Sequence, residues 1–148
     1  LHIIIKRYNA LPLSDQTIQH AVTTWCDDEI KASLLYGLIE YWNTSLVTNM
    51  RDFFKGKTRF NANINHWNVS NVTDMSSMFH GASSFNQPLN SWNVSNVTNV
   101  GRMFYDASRF NQPLDRWNVH KVIKMVDSMF NGACSFNQSL EAWAVNRS

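Results

Sequence analysis

Tryptophan recurs at Trp42, Trp67, Trp92 and Trp117 at intervals of 25 residues, and once more at Trp143 after 26. Nothing else in this 148-residue chain constrains its fold so strongly. A fixed period of this length means one unit copied in tandem, and units this short bury their apolar faces only against one another. The pairs Phe60-Asn61, Phe85-Asn86, Phe110-Asn111 and Phe136-Asn137 keep the same beat. The extra residue lies between Trp117 and Met129, because Trp67 to Phe79 and Trp92 to Phe104 are 12 apart whereas Trp117 to Phe130 is 13. Four copies fill Trp42 to Trp143.

Within a copy, the period of the apolar residues changes. Val72, Met75, Met78, Phe79 and Ala82 fall at i, i+3, i+6, i+7 and i+10, which predicts one face of a helix, with Thr73 and Asp74 suited to its start. Val97, Val100, Met103, Phe104 and Ala107 repeat the pattern. A short extended piece follows, Leu89 to Val94, with Pro88 just ahead of it, where a missing N–H does no harm to a strand. The fold class expected is therefore α/β: a solenoid of about four to five 25-residue coils, each a short helix plus a short parallel strand, paired at ~4.8 Å. Its repeated core is Trp42, Trp67, Trp92, Trp117, Phe79, Phe85, Phe104 and Phe110. Asn61, Asn86, Asn111 and Asn137 recur in phase, as do Asn43, Asn68, Asn93 and Asn118, the pattern of an asparagine ladder.

Residues 1–41 do not repeat and read as a helical N-terminal cap on the repeat region 42–148. Ser14 is placed to cap a helix carrying Ile18, Ala21, Val22 and Trp25, and Ile30 with Leu34 suggests a second helix ending at Gly37. Trp25 and Tyr36 are expected to pack on the first coil. The other end has no such segment: the register continues to Trp143, so Phe136, Leu140 and Trp143 are expected to need cover from another chain or from residues beyond Ser148.

The pattern Trp-Asn-Val-Ser-Asn-Val-Thr-x-Met-x-x-Met-Phe-x-x-Ala-x-x-Phe-Asn-Gln-x-Leu resembles the repeats of the mycoplasma-type surface lipoprotein family of unknown function, related to BspA-like leucine-rich-repeat surface proteins; algal-type arrays are similar. The resemblance covers residues 42–143. It implies a leucine-rich-repeat-like solenoid, a role in binding or adhesion, and no enzyme activity. Val100, Lys57 and Ala144 depart from the family pattern, which has Met, Ala and Asn there.

No site chemistry stands out against this background. His-Glu-x-x-His, Cys-x-x-Cys, Gly-x-Ser-x-Gly and a glycine-rich phosphate loop are all missing, and no catalytic, metal or cofactor residue is assigned. His2, His20, His66, His80 and His120 are scattered. Asp27, Asp28 and Glu29 read as a solvated helix start rather than a metal cluster. The six methionines keep helical spacing and read as core. Cys26 and Cys134 read as two buried thiols. Asn68, Asn71, Asn93 and Asn96 stand in glycosylation sequons, which arise from the repeat itself. A net charge of +2 is too small to argue for nucleic acid, and no apolar run approaches the ~20 residues that span a bilayer.

The positions that break the repeat carry charge. Arg51, Lys55, Lys57 and Arg59 replace small neutral residues in the first copy, and Arg102, Arg109, Arg116, Lys121 and Lys124 do so later. Arg59 and Arg109 share one phase, which puts a cation on the same flank in alternate copies, a stripe for an acidic protein surface or anionic headgroups. With Trp143 these form the candidate partner-binding set. The expected function is a non-catalytic interaction module, a peripheral subunit or scaffold docked through protein partners on a larger, membrane-associated assembly. The alternative is a secreted or surface-anchored adhesin for host or matrix ligands.

Overall fold

A computed structural model describes residues 11–123 and 128–146 of the chain. Lys124 of the candidate set lies outside the described residues.

The N-terminal region opens with α1 (Ile18–Asp27) and α2 (Glu29–Tyr36), followed by a 3-10 turn at Ile39–Tyr41. Ile18, Ala21, Val22 and Trp25 face inward from α1 and are buried, as their 3–4 spacing requires. Ser14 does not cap this helix with its side chain; its carbonyl instead accepts from the N–H groups of Thr17 and Ile18 at 3.1 and 2.9 Å. Asp28 separates the two helices and caps the second, its Oδ1 accepting from the Lys31 N–H at 3.0 Å. Gly37, at φ 79°, ends α2 in the left-handed region that glycine enters without strain. Trp25 and Tyr36 both meet the ring of Trp42 edge-on at 6.0 Å.

The helix expected over 72–82 does not form, although Val72, Met75, Met78, Phe79 and Ala82 are all fully buried. Ser77 and Gly81 take positive φ, 56° and 73°, as do Asp52 with Gly56 one copy earlier and Arg102 with Asp106 one copy later. Two left-handed residues four apart break any right-handed helix. The N–H groups of Met75, Ser77, Phe79 and Gly81 donate to the carbonyls of Asn99, Gly101, Met103 and Tyr105 in the next copy at 2.9, 2.9, 2.9 and 2.7 Å. Those of Met78, His80 and Ala82 close turns onto the carbonyls three residues back. A ten-residue helix is marginal in isolation and would spend these donors on itself. The path adopted uses every second one to join copies.

The parallel strands are likewise not found. Among the described residues there are only isolated bridges, Asn49 with Asp74 and Asp74 with Asn99. Leu89 shows why the extended piece cannot pair as a strand. Its carbonyl accepts from the Trp92 N–H at 3.1 Å and from Trp117 Nε1 at 2.9 Å, which occupies both lone pairs. Ile64 and Leu114 do the same for Trp67 with Trp92 and for Trp117 with Trp143. The α/β, leucine-rich-repeat-like solenoid of helix and strand is thus overturned. In its place the described residues show 25-residue copies built of turns, joined copy to copy, with three short α-helices, two ahead of them and α3 (Glu141–Asn146) at their end, carrying Trp143.

Side chains fill the stack in columns. Phe54, Phe79, Phe104 and Phe130 succeed one another at 5.6, 5.5 and 5.6 Å between ring centroids, and Phe60, Phe85, Phe110 and Phe136 at 5.6, 5.9 and 6.0 Å. Trp92, Trp117 and Trp143 stack at 6.3 Å. The two asparagine sets do different work. Asn61, Asn86 and Asn111 each accept, through Oδ1, the backbone N–H of Asn86, Asn111 and Asn137 at 2.9 Å, linking copies. Asn43, Asn68 and Asn93 instead hold a local turn, with Oδ1 accepting from the N–H and hydroxyl of the serine two residues on.

The cap replaces contacts that an earlier copy would have made. Thr73 and Thr98 donate their N–H groups at 2.8 Å to the carbonyls of Thr48 and Thr73, but Thr48 has no copy before it. Asp15 serves instead: its carboxylate accepts from the Thr48 N–H at 2.9 Å, the Thr48 hydroxyl at 2.6 Å and the Asn49 N–H at 3.2 Å. Partial burial raises the Asp15 pKa, but these hydrogen bonds from Thr48 and Asn49 outweigh it and hold the carboxyl below its ordinary 3.8. Asp15→Asn is expected to cost about 1 kcal/mol at pH 7, the size of a lost cap. Because the folded-state pKa is depressed, this contribution is complete above the ordinary carboxylate range and disappears as pH falls below it. Urea unfolding of the two proteins at pH 7 and at pH 3 checks this: the gap between them narrows at the lower pH.

At the other end the expectation of an uncovered Trp143 is corrected. Trp143 is only 5% exposed within the single chain, and its Nε1 donates to the Leu114 carbonyl at 2.9 Å. Phe130, Phe136 and Leu140 are half-buried, while their counterparts Phe104, Phe110 and Leu114 are fully buried.

Candidate interaction site

With aromatic columns inside, the functional surface is built from side chains that leave them. Arg51, Lys55, Arg59, Arg102, Arg109, Arg116 and Lys121 are all exposed, and Lys57 is half-buried. They are not equally free. Arg51 lies 3.7 Å from Asp52, the Arg102 guanidinium stands 5.8 Å from the centre of the Tyr105 ring, and Lys121 donates to Asn96 Oδ1 at 2.8 Å. Trp143 belongs to the core rather than to this set. Arg59 and Arg109 immediately precede Phe60 and Phe110, which lie two copies apart in one column whose rings succeed one another at 5.6 and 5.9 Å.

Lys57 and Arg59 are the two cations brought together in a cavity. They line a groove of about 690 Å³ whose floor is the stretch 56–62 of the first copy and whose opposite wall is the end of α1, with Trp25, Cys26 and Asp27, together with Glu29. The groove exists because α1 ends at Asp27 and the chain turns at Asp28 into α2, leaving the loop of the first copy without a layer beneath it. The position of Lys57 is filled in later copies by Ala82, Ala107 and Ala133, all buried; an ammonium cannot be buried so, and here it opens onto the groove. Sequence reading flagged Lys57 and Arg59 as departures from the repeat but missed the groove. The lysine standing where the other copies have alanine was the signal.

Cys26 is half-buried on this wall, while Cys134 is exposed, which corrects the expectation of two buried thiols; both are free. Burial pushes the Cys26 thiol up, with Lys57 opposing and Asp27 adding to the rise, so it stays protonated near neutrality. Asp27, Asp28 and Glu29 gather no metal site, and among the described residues no group of three His, Cys, Asp or Glu side chains is placed to hold an ion. No described helix is long and apolar enough to cross a membrane. Ile30 and Leu34, expected to define the second helix by their apolar spacing, point outward at 76% and 60% exposure, and α2 buries Ala32 and Ser33 instead.

Among known families, the one described as Mycoplasma protein of unknown function, DUF285, matches residues 28–146. No curated protein and no solved structure matches the chain.

Proposed function

We propose that this chain, which belongs to the family described as Mycoplasma protein of unknown function, DUF285, is a non-catalytic protein-interaction module, a peripheral subunit or scaffold docked on a larger assembly. The observation that carries this reading is the division of labour in the repeat. The aromatic columns and the bonds between copies recur from copy to copy, and among the positions that vary several carry exposed cations or line the groove. A rigid stack with a variable outer face suits recognition of a surface by many weak contacts.

The test is charge reversal at two positions outside the core. Arg59→Glu combined with Arg109→Glu is expected to weaken retention of the native partner about tenfold at low salt, with less effect at high salt, and to leave the melting temperature unchanged. Retention that is equal for both proteins across a salt series would remove the cationic flank from the account.

The second reading, a surface adhesin related to BspA-like proteins, is supported by one observation: Asn68 and Asn93, each in an Asn-Val-Ser sequon, are exposed. Glycan mass on these two residues in material from the native source would favour that reading over the docked subunit.

A further inference from the structure

Building on the interaction reading above, we propose that the groove between α1 and the first copy binds a neutral peptide segment that presents an asparagine side chain, and so completes the first rung of the asparagine ladder. Between copies each rung is one repeated contact, a backbone N–H donating at 2.9 Å to the Oδ1 of the asparagine one copy earlier. Asn61 heads the ladder. Its Oδ1 serves Asn86, but its own N–H meets no acceptor among the described residues, and it lines the groove.

A second donor stands beside it. Ser108 Oγ donates to the Ser83 carbonyl at 3.4 Å, and Cys134 Sγ to the Ser108 carbonyl at 3.7 Å. Thr58 holds that position in the first copy and lines the groove; its N–H donates to the Gly56 carbonyl at 3.0 Å, but its hydroxyl has no acceptor among the described residues. Elsewhere the cap has supplied stand-ins for the absent copy: Asp15 for Thr48, and the Ile39 carbonyl for Trp67 Nε1 at 2.8 Å. Here it has supplied none.

Two donors on the floor call for two acceptors on the occupant, a carboxamide oxygen and a backbone carbonyl three residues before it, on a path that turns between them as the chain does at Ser83 and Ser84. Ser83 to Asn86 of the chain bring that pair to the copy that follows, through the Ser83 carbonyl and Asn86 Oδ1. The walls favour a neutral segment, since Lys57 and Arg59 on one side are balanced by Asp27 and Glu29 on the other. A ligand of one charge sign, such as a nucleic acid, is attracted by one wall and repelled by the other.

The experiment titrates the isotope-labelled 148-residue chain with the peptide Ser-Ser-Phe-Asn-Gln-Pro-Leu, the sequence of residues 83–89, and with the same peptide carrying Leu in place of Asn. The expected result is a saturable downfield shift of the Asn61 amide proton, with changes confined to 56–62 and the end of α1, and at least tenfold weaker binding of the Leu peptide. Equal affinity for the two peptides, shifts centred on another surface, or no shift would overturn the proposal. So would concentration-dependent self-association of the chain alone that moves the Asn61 amide, which makes a second copy the occupant. The groove and the interaction reading fail separately. Loss of the native partner in the single variant Arg109→Glu, without any peptide binding, discards the groove and keeps the module; peptide binding with the partner retained supports the groove and discards the flank.

Discussion

Trp92→Ala is expected to lower the free energy of unfolding by about 3–5 kcal/mol, the cost of emptying a large aromatic site in a packed interior. Trp92 is buried, stacks on Trp117 at 6.3 Å and donates through Nε1 to the Ile64 carbonyl, 28 residues earlier, at 3.0 Å. Its removal takes away a ring, leaves a cavity and deletes one of the bonds that tie the copies together. The site cannot collapse easily, because the columns on either side are themselves fixed by stacking, and poor collapse is what drives such losses to the upper part of the range. Trp92→Phe separates the contributions. It keeps most of the ring volume and loses the indole donor, for an expected cost of about 1 kcal/mol. Urea denaturation followed by circular dichroism reads both; an alanine variant within about 1 kcal/mol of the parent would contradict the packing described.

Phe104→Ala carries a similar expected loss, about 3–5 kcal/mol. Phe104 is fully buried and is sandwiched between Phe79 at 5.5 Å and Phe130 at 5.6 Å, with Phe110 alongside at 4.1 Å. Three aromatic contacts vanish together, and each is worth roughly 0.5–1.5 kcal/mol beyond its buried area. Position in the stack matters as much as residue type. Phe136 stacks on one ring of its own column, Phe110 at 6.0 Å, with Phe130 alongside at 4.2 Å, and is half-buried, so Phe136→Ala is expected to cost clearly less than Phe104→Ala in the same urea titration. Equal losses at the two positions would mean that the last copy is as enclosed as the third.

These contrasts show what the sequence made legible and what it did not. The interval between tryptophans, the extra residue before Met129 and the identity of the buried side chains were readable, because burial follows from chemistry and periodicity alone. The backbone path was not. Val72, Met75, Met78, Phe79 and Ala82 lie inside as a helical face would, yet the chain reaches them through turns, with Ser77 at φ 56° where side chains rarely go. Side-chain spacing records which residues are interior; it does not record whether an N–H bonds four residues back or to the next copy. The strand failed for a related reason, since the Leu89 carbonyl is occupied by two donors, the Trp92 N–H in a local turn and Trp117 Nε1, which depends on the register between copies. The groove was illegible for another: it is a property of where α1 ends relative to the first copy, and only the odd lysine at position 57 marked it.

The central claim is that the copies are held by backbone bonds running between them in place of bonds within a helix, and Phe79 tests it most directly. A helix over 72–82 would give the Phe79 N–H to the carbonyl of Met75, four residues back; in the structure it donates to the Met103 carbonyl at 2.9 Å. Scalar coupling across the hydrogen bond, measured between the amide nitrogen of Phe79 and carbonyl carbons in the labelled chain, reports the acceptor. The account predicts a correlation from Phe79 to Met103, and a correlation to Met75 would contradict it.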